Sequence, residues 1–247
     1  MNTNDPASRL SRITTLWDLV NQAHRGTASS AGAARLHFMG RYGGAVHRYL
    51  MGALRDAEAA DELFQDFALR FVRGDFKNAH PERGRFRDYL KTALFHLIGN
   101  HQRRHKARPQ SLSPGLGEPP ASAPTLTESE QAFLESWREQ LMDRTWHSLA
   151  AFEAEAGLPY HTILRFRTDH PLLSSAELAQ RLGAHLGKAY SIDAFRQALH
   201  RSREKFTELL LEEVEGSLEQ PSRERLEQEL SDLGLLVYCR AALERRS

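Results

Sequence analysis

Residues 56–76 read DAEAADELFQDFALRFVRGDF. Leu63, Phe64, Phe67, Ala68 and Phe71 recur at three- and four-residue steps, so they line one side of an amphipathic helix. The same spacing places Glu62, Asp66, Leu69 and Arg73 on the opposite side. That outer face is a leucine framed by charges, read either as a solvated helix surface or as a docking surface for a partner protein.

The pattern continues outward in both directions. Phe86, Tyr89, Leu90, Ala93, Leu94, Leu97 and Ile98 form a second helical stripe, with Phe95 about 180° away from Phe86. An earlier helix over 35–54 brings Tyr42, Val46, Tyr49 and Leu50 to the same core, although Gly43 and Gly44 weaken it. Almost every periodic segment has helical spacing and none alternates convincingly with a period of two, so the predicted fold is all-α. Residues 109–127, PQSLSPGLGEPPASAPTLT, hold five of the ten prolines and almost no charge. This composition predicts a semi-rigid linker between two small helical domains, 10–108 and 128–215, with an acidic extension over 216–247.

Composition narrows the function classes. The 40% apolar and 26% charged residues are those of a folded protein. No run has the roughly 18 apolar residues of a membrane helix, and MNTNDPASRLSR lacks a signal-peptide core, so a cytoplasmic location is expected. One cysteine, Cys239, allows neither an internal disulfide nor a cysteine zinc site. Walker-type loops, HExxH helices and nucleophile motifs are missing. Binding is therefore expected rather than covalent chemistry, with no cofactor and no metal.

Charge is segregated although the net charge is only +1. Pro81–Arg108 carries eight Lys/Arg against two acids, Asp56–Asp66 has five acids and no base, and Glu208–Asp232 has nine acids against two arginines. Within GNHQRRHKAR, Arg103, Arg104, Lys106 and Arg108 crowd into six positions beside His101 and His105. Such permanent charges repel one another unless an anion neutralises them, and a phosphate backbone does so with counterion release. The competing reading is a basic helix end that answers the helix dipole.

In the second block, LSSAELAQRL predicts a short helix stopped at Gly183, with Ala176, Leu178, Ala179 and Leu182 inward. Ser191 then caps a longer helix with Phe195, Leu199, Ser202 and Phe206 inward and Arg196, Gln197, His200, Arg201, Arg203 and Lys205 outward. Short helix, break, longer basic helix is the pattern of a helix-turn-helix, in which Gln reads adenine and Arg reads guanine.

Taken in order, the acidic helix with Gln65–Phe67, the PERGRFR loop and the arginine-rich finish resemble region 2 of bacterial RNA polymerase sigma factors of the extracytoplasmic-function type. SSAELAQRLG…SIDAFRQALHRSREKFTELL, with LHR at Leu199–Arg201, is similar to region 4. The resemblance implies a transcription initiation factor that binds core RNA polymerase and promoter DNA, with room for an anti-sigma partner. It assigns Glu62, Gln65, Asp66, Leu69 and Arg73 to the clamp helices of the β′ subunit, and region 4 to the flap of the β subunit. It assigns Arg85, Phe86, Arg87, Tyr89, His96, Asn100, Arg103, Arg104, Lys106 and Arg108 to opening the −10 element, where unstacked bases are captured. Arg196, Gln197, His200, Arg201 and Lys205 would read the −35 element. Two departures stand out: an eight-residue connection between Leu182 and Ser191, and the acidic extension. The alternatives are a helix-turn-helix regulator acting without polymerase and a helical nuclease using His96, His101 or His105.

Overall fold

The computed structural model describes residues 16–76, 85–107, 126–218 and 221–246. These residues are all-helical, with no strand among them. The helices are α1 (Leu16–Arg25), α2 (Ala28–Leu54), α3 (Ala57–Arg73), α4 (Phe86–Ala107), α5 (Leu126–Ala156), α6 (Tyr160–Asp169), α7 (Ser175–Leu186), α8 (Ile192–Glu215), α9 (Arg223–Asp232) and α10 (Leu236–Arg245). The expected loop over 81–84 and linker residues 109–125 lie outside the described residues.

The described residues up to Gln140 and within Gly216–Pro221 belong to one compact unit, and the described residues of Leu141–Glu215 and Ser222–Ser247 to another. The division falls within α5 and not at residue 128, where the proline-rich composition ends. The reason is packing: Phe133 and Trp137 are 1% and 2% exposed, and the Trp137 ring stacks on Tyr42 at 5.1 Å. Tyr49 meets Phe133 edge-on at 5.4 Å and shares a hydrogen bond with the Ser129 hydroxyl. Gly44, expected only to weaken its helix, has a positive use. A Cβ there would lie 2.2 Å from Gln140 Oε1, the acceptor of a 2.8 Å hydrogen bond from Arg48. The missing side chain thus leaves room for the Gln140 amide in the rotamer that meets Arg48.

Around this contact the first unit packs as the periodicity predicts. Leu63, Phe67 and Phe71 of α3 and Phe86, Leu90, Leu94 and Leu97 of α4 are buried. Phe38 stacks on Phe71 at 4.0 Å and meets Phe86 edge-on at 5.6 Å. Asp56 caps α3 by accepting from the Ala59 amide at 3.1 Å, and Gly74 closes it with φ of 87°.

His24, at the end of α1, packs edge-on against Phe71 at 5.0 Å, and neither ring nitrogen has a hydrogen-bond partner. Burial, then the nearby Arg35, holds its pKa below the ordinary 6.5, against an opposing pull from Asp75. The unfolded chain therefore takes up a proton that the folded chain resists. Stability from this site is complete above 6.5 and falls as pH drops below it. Urea unfolding from pH 8 to 5 should show a decline that His24→Phe makes shallower; an unchanged slope would refute the assignment.

In the second unit Leu149, Ile163, Leu164, Leu178, Ala179, Leu182, Phe195 and Leu199 form one buried cluster. Pro159 offers α6 no side-chain cap, and Glu153 supplies one from α5, accepting from the Thr162 amide at 2.8 Å and its hydroxyl at 2.6 Å. From Ser222 the C-terminal extension folds into this unit. Leu226, Leu230, Leu233, Leu235, Ala242 and Leu243 are buried, and so is Cys239, whose thiol burial pushes up to about 11.

Candidate nucleic-acid and partner interface

The predicted reading pair is α7 and α8. Ser174 and Glu177 form a capping box at the start of α7, which fixes where the helix begins. It does not stop at Gly183. That glycine is buried, and a Cβ on it would lie 2.8 Å from the Lys188 carbonyl oxygen. The left-handed residue that ends the helix is Gly187, with φ of 63° and its amide bonded to Gly183 O. Two glycines stand in GAHLG, one spent on close approach and the other on the stop. The connection accordingly shrinks to 187–191, ending on Ser191, whose hydroxyl accepts from the Ala194 amide at 3.1 Å and caps α8.

On α8, Phe195, Leu199 and Ser202 point into the core, which leaves Arg196, Gln197, His200 and Arg201 exposed along the other side. Arg196 is only loosely engaged, 3.6 Å from Asp193. Lys205 departs from the expected set. Its ammonium sits 4.8 Å from the Phe152 ring centroid and 3.4 Å from Glu208, and the side chain is half-buried.

Helix α3 presents Glu62, Gln65 and Arg73 to solvent. Asp66 is half-buried and tied to Arg70 through both carboxylate oxygens at 3.0 Å, which raises the Arg70 pKa. Leu69 is 53% exposed and Val72, which the sequence reading passed over, is 48% exposed. Their i, i+3 spacing is the signal in the sequence, set among charged neighbours. Together they make a short apolar stripe on a face the core does not use.

On α4 the expected residues separate into two groups. Phe86 and Arg87, both expected at the −10 element, are 4% and 6% exposed, Phe86 as a member of the aromatic core. Tyr89 is half-buried, edge-on to Phe76 at 6.1 Å, and Arg85 is exposed. Phe95, His96 and Arg103 are exposed along one side of the helix with Gly99 between them. A Cβ on Gly99 would meet nothing within 4 Å, so the backbone there is accessible. Arg103 donates to Asn100 Oδ1 at 2.7 Å and to Gly99 O at 3.3 Å, and Arg104 donates to Asn100 O at 3.4 Å. These contacts fold both guanidiniums along the helix and keep them outward. Arg108 and the side chain of Lys106 lie outside the described residues. The rings of His101 and His105 are 5.9 Å apart.

Comparison with family models, with curated proteins and with solved structures finds no match to this chain.

Proposed function

We propose that the protein is a sigma-type transcription initiation factor, which binds core RNA polymerase through α3 and promoter DNA through α4 and α8. The observation that carries this reading is the exposed Leu69–Val72 stripe between Glu62, Gln65 and Arg73. A regulator that needs only duplex DNA has no use for it, whereas a protein that must dock on a polymerase does. A few apolar anchors ringed by charge are the usual make-up of a protein-binding hot spot.

The DNA contacts divide by chemistry. Arg196, Gln197, His200 and Arg201 offer donors in the arrangement that suits base edges in a major groove. Arg103 and Arg104 suit phosphates, and Phe95 with His96 suits stacking on bases already unpaired. Melting would be driven by binding energy spent on unstacked bases, without nucleotide hydrolysis.

The test reconstitutes the chain with core polymerase on a promoter mapped from transcripts that its overproduction induces. Arg103→Ala with Arg104→Ala should reduce strand opening, read by permanganate reactivity of unpaired thymines. It should flatten the salt dependence of log K by about 1 to 2 and leave core binding unchanged. Equal loss of core binding and opening would contradict the division of surfaces.

A further inference from the structure

The C-terminal helix reaches the proposed DNA-reading face through one residue. Glu204 stands one turn beyond His200 on α8. Its Oε1 lies 3.6 Å from His200 Nε2 and 3.2 Å from a terminal nitrogen of Arg245, the last residue of α10. Next to it Arg246 reaches Glu212 at 3.7 Å and Glu215 at 3.2 Å, and donates to Glu208 O at 3.2 Å. The basic end of the extension is thus laid along the acidic half of α8. Buried Leu210, Leu211 and Val214 on α8 and Ala242 and Leu243 on α10 hold apolar positions beside these ion pairs.

We propose that Arg245 is a positioning residue of the DNA-reading face, acting as the intramolecular counter-ion of Glu204. The inference rests on the reading that the outer face of α8 binds DNA. An unpaired carboxylate one turn from His200 and Arg201 repels phosphate and offers those side chains a competing acceptor. With Arg245 across it, the carboxylate is neutralised from outside the face and its Oε1 is held between the His200 ring and the Arg245 guanidinium. The extension, acidic in total, contributes its cationic end where the reading helix turns acidic, and so sets the affinity of that face for a polyanion.

The test uses the full chain carrying Arg103→Ala and Arg104→Ala, so that the other basic surface contributes little. Binding to a labelled random-sequence DNA duplex at low salt is followed by fluorescence anisotropy. Arg245→Ala should weaken binding roughly fivefold, the effect of one uncompensated charge close to phosphate. Adding Glu204→Gln should restore affinity to within about twofold of the parent, and Arg245→Lys should leave it unchanged. A loss that Glu204→Gln does not rescue would mean that Arg245 touches DNA itself or only supports the fold, and would overturn the proposal. So would no loss at all. Arg196→Ala with Arg201→Ala separates the two levels: if that pair weakens binding and Arg245→Ala does not, this inference alone fails. If that pair has no effect, the DNA-reading assignment of α8 fails with it.

Discussion

Trp137→Ala lowers the stability of the first unit by about 3 to 5 kcal/mol, the range for deleting a large buried aromatic side chain. The indole is 2% exposed, stacks on Tyr42 at 5.1 Å and lies 6.0 Å from Phe133. Removing it opens a cavity at the seam where α5 meets α2. The effect should appear in the transition of the first unit, although residue 137 lies beyond the proline-rich segment and composition would assign it to the second. Trp137→Phe isolates one part of the cost. The indole Nε1 is buried without a hydrogen-bond partner, so Phe keeps most of the stacking and removes an unsatisfied donor, for a net change within about 1 kcal/mol. Urea unfolding followed by far-UV circular dichroism measures both variants. If Trp137→Ala costs under about 1 kcal/mol, residues 126–140 are not part of the first core.

Leu69→Asp should reduce affinity for core RNA polymerase by roughly 100-fold, the effect of losing a central apolar anchor and burying a charge in its place. The fold should be indifferent, because the side chain is half in water and Phe67 and Phe71 carry the core on the opposite side. Val72→Asp should act in the same direction. Leu36→Asp is the matched control: Leu36 is 79% exposed on a different helix, α2, and its replacement should leave polymerase affinity unchanged. Surface plasmon resonance with immobilised core enzyme reads all three. Equal losses from Leu36→Asp and Leu69→Asp would show a non-specific effect of charge and remove α3 as the docking face.

Much of the helical architecture was legible because amphipathic period is a local property. The stripes of α3, α4 and α8 follow from spacing alone, since each helix must bury one side. What spacing could not give was the partner of each stripe. Residues 126–140 have helical spacing, but nothing local says that Phe133 and Trp137 pack with Tyr42 and Tyr49; that contact is a property of two distant segments. The end of α7 was misjudged for a related reason. A glycine after an apolar run signals either a stop or a close approach, and only the position of the Lys188 carbonyl decides that Gly183 is the second kind.

The site was legible unevenly. Exposed cations such as Arg196, Arg201 and Arg103 are readable because the core leaves no alternative place for them. Phe86 and Arg87 were not, because a residue at the first turn of a helix belongs to the loop and to the stripe at once, and burial resolves it in favour of the core. Lys205 is half-buried because Phe152, from another helix, offers its ammonium a ring face. The extension was opaque in composition. Its acidic total hides Arg245 and Arg246, whose ion pairs with α8 exist only once α9 and α10 fold back.

The central claim is that this chain confers promoter recognition on core RNA polymerase. The most direct measurement is an electrophoretic mobility shift on the mapped promoter duplex with the protein alone, core enzyme alone, and both together. The account expects a specific, competitor-resistant complex only when both are present, and its loss with Leu69→Asp. Tight sequence-specific binding by the protein alone, unchanged by core enzyme and by Leu69→Asp, would contradict it.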